Sequence, residues 1–349
     1  MTSPRCGNTG PDMRVGATPS GNGTRPAWAR PARGFCHQAL HYRADDALLG
    51  SLVSFARDGL ANGEVVLVMV GAAKLAALAE LLADEVASGW VELADMDTVG
   101  ANPARIIPAW RAFVERQPAG IPLRGVGEPI DRRREGATLD ECAEHERLLN
   151  VAFWDLGDRP FWLLCPYDVA SLDPAVVDRS RNTHPFVVDA TGDESPAHAR
   201  SFEYHRPDPT TLSGAPLPPP PPTARRLEVS AADAAALRRT RLAVGDAARR
   251  SGLGEATEDL VLSAHEVLTN ALVHGRGPVE VALWQEGGTF VCQVAGAGEL
   301  HDPLAGRRAP LEDRPGGRGL WLANHLCDLV QVRQVGPNIV VRLHRRRTG

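Results

Sequence analysis

The chain has 349 residues, a net charge of −5 and 43% hydrophobic content. That length suggests two domains with enough apolar residues for two cores, and the charge gives no general reason to expect nucleic-acid binding. No apolar run reaches the ~20 residues of a membrane span, and six scattered cysteines without a CxxC pair argue against zinc and against a disulfide framework.

Residues 1–33 are rich in Gly, Pro, Ser, Thr and Arg, with little to bury, and read as a disordered tail. They contain no apolar h-region, so a cytoplasmic protein is expected. From Gly34 the character changes. Ala44–Asn62 has helical spacing of Ala47, Leu48, Leu52, Phe55 and Leu60, and Val65–Val70 is an unbroken apolar run, as in a fully buried parallel strand. Ala72–Ala87, Pro103–Arg116 and Gly136–Phe153 read as helices. Val91–Leu93, Ile121–Val126 and Phe161–Cys165 read as strands. Strands alternating with helices predict an α/β domain with a mostly parallel sheet. Ligands of such sheets sit at the carboxyl ends of the strands, here Gly71, Gly127–Pro129 and Pro166–Asp168. Glu128 and Asp168 either read a ligand or cap the next helix. His37 and His41, four apart, make half a metal site with no third ligand at matching spacing. No GxxxxGK[ST] is present, so a standard P-loop is excluded.

FCHQALHYRADDALLGSLVSFARDGLANGEVVLVMV, then GEP at 127–129, ECAEHERLLN at 141–150, LLCPYD at 163–168 and NTHP at 182–185 resemble the MEDS (methanogen/methylotroph, DcmR sensory) domain. Five blocks in order make the resemblance fairly specific. It implies a ligand-sensing α/β module fused to a signalling output, with a small-molecule signal that the blocks do not identify. The expected organisation is a tail at 1–33, a sensory domain at 34–200, a proline-rich linker at 201–224 and an output domain at 225–345. The linker carries five consecutive prolines, Pro218–Pro222, which favour an extended conformation and suggest independent modules.

In the second half, Leu227–Val229 reads as an edge strand and Ala231–Arg250 as a helix behind Ser230. Asp259–Gly275, DLVLSAHEVLTNALVHG, is the most informative stretch. At about 100° per residue, Asp259, Ser263, Glu266, Asn270 and His274 share one stripe. Leu260, Val261, Ala264, Val267, Leu268, Ala271 and Leu272 fill the opposite arc. Glu266 and Asn270 are neighbours on that stripe, a carboxylate able to polarise a hydroxyl beside a carboxamide oxygen suited to Mg²⁺. The alternative is an ordinary amphipathic helix with a solvated polar side. Val279–Trp284 and Thr289–Val294 read as a hairpin, followed by Gly296 and Gly298. RPGGRG at 314–319 runs into a helix at Leu320–Leu326. Leu329–Val335 and Asn338–His344 form a last hairpin. The order predicts an α/β sandwich with helices on one face of a mixed sheet. Gly316, Gly317 and Gly319 allow close backbone approach to a polyanion, the following helix start supplies free N–H groups, and Arg314 and Arg318 add charge.

This half, about 225–345, resembles the GHKL-type histidine-kinase-like ATP-binding fold, most closely the anti-sigma-factor serine/threonine kinase branch. EVLTNALVHG at 266–275 is similar to the family's asparagine box, VAGAG at 294–298 to its first glycine box and GGRGLWL at 316–322 to its second. The resemblance implies ATP and Mg²⁺ as cofactors, Glu266 as catalytic base and Asn270 as metal ligand. It assigns nucleotide contacts to Asn270, Gly296, Gly298, Arg314, Gly316, Gly317, Arg318, Gly319 and Leu320. One place departs from it: the family has aspartate for the adenine amino group where this chain has Gly296. Losing such a charge-assisted hydrogen bond weakens binding by roughly 1.5–3 kcal/mol, about ten- to a hundredfold.

Three readings follow. The first is a sensor-controlled serine/threonine kinase that acts on a sigma factor or its antagonist, without nucleic-acid or membrane contact and compatible with a homodimer. The second is a partner-binding module without kinase activity, favoured by Gly296. The third, a two-component histidine kinase, lacks a phosphoacceptor: no histidine lies between His205 and His265, so His37 or His41 would have to serve.

Overall fold

The computed structural model describes residues 34–134, 136–154, 156–190, 217–230, 234–310 and 317–347. The expected tail at 1–33 and most of the linker lie outside them. The first half holds strands β1 (Phe35–Tyr42), β2 (Val65–Val70), β3 (Val91–Asp95), β4 (Leu123–Gly127), β5 (Phe161–Asp168) and β6 (Phe186–Asp189). They form one sheet in the order β3-β2-β4-β5-β1-β6, parallel at every pairing. The expected parallel sheet is therefore present, but β1 lies inside it where no strand was expected.

Helices α1 (Asp45–Ala61), α2 (Ala72–Leu81) and α3 (Ala83–Ala87) follow β1 and β2. Leu48, Leu52 and Phe55 of α1 and Leu78 of α2 pack on one face of the sheet, against Val66, Val68, Val70 and Leu164. After a short α4 (Met96–Val99) and a 3-10 turn at Pro103–Arg105, α5 (Ile106–Arg116), α6 (Gly136–Ala152) and α7 (Pro174–Thr183) cover the other face. Trp110 of α5 fits only because position 125 is glycine: a Cβ there would stand 2.7 Å from the indole. Helix α6 lies where a helix was expected, and its charged residues Glu141, Glu144, His145 and Glu146 are buried.

The second half begins with β7 (Arg225–Val229), α8 (Ala234–Arg250) and α9 (Ala256–His274). Then come β8 (Arg276–Glu286), β9 (Thr289–Ala297), α10 (Arg318–Leu326), β10 (Leu329–Val335) and β11 (Asn338–Arg346). The sheet runs β10-β11-β9-β8-β7 and every pairing is antiparallel, where a mixed sheet was expected. Its inner face packs Val281, Phe290, Val294 and Leu343 against Val244 of α8, Leu260, Val267 and Leu268 of α9 and Ala323 of α10. The apolar arc of α9 thus faces the core as its spacing required. On the outer face, Arg342 donates to Gln293 Oε1 at 2.7 Å, stacks over Trp284 and donates to the carbonyl of Pro218. The proline run, expected to act as a free spacer, is docked on this sheet where it is described.

The two halves also touch directly, which corrects the expectation of independent modules. Asn102 Nδ2 donates to the carbonyl of Asn324 at 3.0 Å. Arg105 donates to the carbonyls of Asn324 and His325, both at 2.8 Å, and of Cys327 at 3.2 Å. These are the unpaired carbonyls at the C-terminus of α10, so the first half caps a helix of the second. Leu304, in the segment between β9 and α10, is fully buried in the core of the first half. Arg307 and Arg333 both donate to Glu141 of α6, at 3.2 and 2.5 Å. Among the described residues no helix is long and apolar enough to cross a membrane, and Cys36, Cys142, Cys165, Cys292 and Cys327 are free and buried.

Candidate nucleotide site

The polar stripe of α9 divides once it is folded. Asp259 pairs with Arg345 at 3.0 Å. Ser263 is fully buried and bonds back to the carbonyl of Asp259 at 2.8 Å. His274 is exposed at the helix end. Only Glu266 and Asn270, both half-buried, face the start of α10.

Gly319 is what brings the elements together. A Cβ at this position would stand 2.5 Å from Asn270 Nδ2 and 3.3 Å from Glu266 Cβ. Without a side chain here, the first turn of α10 lies against the two polar groups of α9 with neither displaced. Gly317, at φ 76°, takes the left-handed turn that starts α10, and as N-cap it offers no side chain to that helix. Among the described residues no side chain caps its first N–H groups, where the positive end of the helix dipole favours an anionic ligand. Arg318 is exposed beside them. Leu320 packs under the preceding segment: a Cβ at Gly306 would meet Leu320 Cβ at 2.7 Å.

The first glycine box is arranged differently from expectation. Gly296 lies within β9, paired with Val279 of β8 and Ile339 of β11. A side chain there would point toward α9, its Cβ 3.1 Å from Val279 Cγ2 and 3.8 Å from Ala271 Cβ. Gly298 follows the strand, with its N–H on the carbonyl of Pro337 at 3.0 Å, and a Cβ there would stand 3.8 Å from Gly275 Cα. Arg314 and Gly316 lie outside the described residues. Glu266, Asn270, Gly319 and the start of α10 thus form one constellation, with Gly296 and Gly298 at the end of α9 beside it.

Sequence reasoning missed Leu304, Arg307 and Asn324, which hold the segment between the glycine boxes. Asn324 Nδ2 donates to the carbonyl of Gly306 at 2.9 Å. HDPLAGRR carries no periodicity that marks it as buried.

At the carboxyl edge of the parallel sheet, Glu128 accepts from Tyr42 Oη at 2.8 Å and from Lys74 Nζ at 2.5 Å. Burial pushes its carboxyl up, and the Lys74 charge pulls it back. Asp168 accepts from Ala170 N at 3.1 Å and Ser171 Oγ at 2.5 Å, closing a turn. His37 and His41 do not meet as a pair. His41 Nε2 contacts Ser180 Oγ at 3.0 Å, and burial together with His184 lowers the pKa of His37 to about 4.

Two family models match the chain. The MEthanogen/methylotroph, DcmR Sensory (MEDS) domain covers residues 36–185, and the histidine kinase-like ATPase domain covers residues 230–344. No curated protein matches. Among solved structures, the RsbU and RsbW domains of Rv1364c from Mycobacterium tuberculosis are similar at 19% identity, over 35% of this chain and 32% of that one, with a TM-score of 0.26. By its two family matches, the chain joins a MEDS sensory domain to a histidine kinase-like ATPase domain.

Proposed function

We propose that the second half binds ATP–Mg²⁺ and transfers the γ-phosphoryl group to a serine or threonine of a protein partner, under control of the MEDS domain. The single observation that carries this reading is the packing of Gly319 on Asn270 and Glu266, which sets a helix start with a glycine N-cap against a carboxylate and a carboxamide. These groups suit a magnesium–triphosphate: a hard oxygen donor, open N–H groups and Arg318. Bound ATP–Mg²⁺ supplies the transferable phosphoryl group. The Asn270 oxygen holds the cation, and the first turn of α10 holds phosphate oxygens. Glu266 orients the partner's hydroxyl and takes its proton as the new O–P bond forms and the bond to the β–γ bridging oxygen breaks. By the resemblance of residues 266–322, the partner is a sigma factor or its antagonist, and the protein acts in the cytoplasm.

Calorimetry of the full chain with ATP and Mg²⁺ tests the reading. Micromolar binding that is lost in Asn270→Ala is expected; no heat up to millimolar ATP would sink it.

The second reading, a partner-binding module without kinase activity, is favoured by Gly296, which has no carboxylate to offer. Gly296→Asp separates the two. In a nucleotide site, the variant should tighten ATP binding about ten- to a hundredfold, less whatever displacing Val279 costs. Unchanged, undetectable ATP binding together with intact partner binding would favour the second reading. The histidine-kinase alternative finds no support in His37 and His41, which are buried in β1 and inaccessible to a phosphoryl donor.

A further inference from the structure

The MEDS half contains a cluster that the nucleotide chemistry does not use. His37 of β1, Glu146 of α6, Cys165 of β5 and His184 after α7 each turn one ligand atom inward, and those atoms lie within 4.8 Å of one another. Each residue is no more than 1% exposed. Glu146 Oε2 is 3.1 Å from Nε2 of both histidines, and His37 Nε2 is 3.2 Å from Cys165 Sγ. We infer that these four residues form a metal site for a borderline divalent cation, zinc by its donor set.

The orientation of the two imidazoles carries the argument. His184 Nδ1 is 2.8 Å from the carbonyl of Ser180. A carbonyl only accepts, so Nδ1 bears the proton and Nε2 presents a lone pair. Asn150 does the same for His37. Its Nδ2 donates to the carbonyls of Thr183 and Glu146, at 2.8 and 3.3 Å, which turns its Oδ1 toward His37 Nδ1 at 3.3 Å. With both imidazoles neutral, their Nε2 lone pairs therefore face the Glu146 carboxylate at 3.1 Å with no proton between them. Lone pairs aimed at one another in a buried cluster are costly. Protonating one ring would pair it with Glu146 but leave the other lone pair facing the same carboxylate, and protonating both would set two imidazoliums with centroids 3.9 Å apart. A cation at the centre satisfies all four groups.

Size and charge agree. Tetrahedral zinc with arms of about 2.0–2.3 Å needs ligand atoms roughly 3.3–3.7 Å apart, so the three contacts of 3.1–3.2 Å need small outward shifts and any pair nearer the 4.8 Å bound an inward one. A thiolate and a carboxylate neutralise one divalent cation, and two neutral imidazoles complete the shell. The buried site is then uncharged. As the Zn–S bond forms, the S–H bond of Cys165 breaks and its proton leaves to solvent. Glu146 also lines a cavity of about 260 Å³ with Tyr167, Ser180 and Thr183, which gives the site an access path. The expectation against zinc rested on sequence spacing. These ligands come from four separate elements, so no CxxC-like spacing announces them.

Metal analysis and cobalt titration of the full chain test this. The chain purified without chelator should carry about one equivalent of zinc. After chelation, Co²⁺ should give tetrahedral visible bands and a thiolate charge-transfer band, reversed by zinc. Cys165→Ser should lose the charge-transfer band, and Asn150→Ala, a positioning change, should weaken Co²⁺ binding about 10–100-fold. The wild-type titration needs no variant to fold: absence of these bands in the apo chain overturns the inference. So does a charge-transfer band that persists in Cys165→Ser, or unchanged affinity in folded His184→Ala.

Discussion

Replacing Arg124 with alanine is expected to destabilise the parallel-sheet domain by about 3–5 kcal/mol. Arg124 lies on β4 with its side chain fully buried, and it is the cation around which α1 closes onto the sheet. Its Nε donates to Glu64, which is itself 2% exposed, and its Nη1 donates to Asp58 at 2.9 Å and to the carbonyl of Phe55 at 2.7 Å. The guanidinium also stands 4.5 Å from the ring centre of Phe55 and 4.9 Å from that of Trp162. Truncation removes this cation–π packing and leaves the Glu64 carboxylate buried beside a cavity. Breaking a buried pair from one side costs far more than the pair contributes, because the remaining charge stays desolvated. Chemical denaturation of the full chain should show the transition of this half moving to lower denaturant while that of the ATPase half stays put. A shift worth less than about 1 kcal/mol would mean that Asp58 and solvent already screen Glu64. Arg124→Met, which keeps most of the volume but removes the positive charge, separates the charge from the packing.

Much of the architecture was legible because local patterning and tertiary role coincide. Val65–Val70 is apolar throughout and buried throughout. The α9 arc from Leu260 to Leu268 faces the core, and both terminal hairpins lie where alternation and glycine turns put them. Strand β1 was not legible. FCHQALHY carries polar residues that look solvated, yet Gln38 accepts from Trp162 at 2.9 Å and His37 reaches Asn150 and Cys165, 113 and 128 residues away. Periodicity sees neighbours along the chain and not partners of that kind. The same holds for ECAEHE on α6, whose charges pair with His37, His184, Arg307 and Arg333. In the candidate site, the four-residue spacing of Glu266 and Asn270 and the glycines before α10 carried the reading. Asp259 turns to Arg345, distant in sequence, while Ser263 bonds back to the carbonyl of Asp259 within its own helix.

The interface between the halves gives the second large effect. Glu141→Ala is expected to speed amide hydrogen exchange across residues 302–308 by at least about a hundredfold, the equivalent of roughly 3–5 kcal/mol for breaking a buried ion pair. Glu141 is 1% exposed and receives Arg333 on one oxygen and Arg307 on the other. Burial lowers the pKa of Arg307, and Glu141 opposes that shift. Without the carboxylate, the segment that seats Leu304 in the MEDS core loses its main polar tie. The effect should stay local, because Asn102 and Arg105 still cap the C-terminus of α10. Glu141→Gln, which keeps an acceptor but no charge, should fall between. The same segment supports α10 through Gly306, on which Leu320 and Asn324 pack. Loosening it should lower the ATP affinity of the full chain several-fold, less than Asn270→Ala does, because the phosphate-facing turn loses preorganisation and not a ligand. Unchanged exchange in Glu141→Ala would mean that Leu304 alone anchors the segment. Faster exchange with unchanged ATP affinity would mean that the two halves are joined here without this contact bearing on the nucleotide site. Glu146 lies further along the same helix as Glu141, so the buried cluster and the tie to Arg307 share one element.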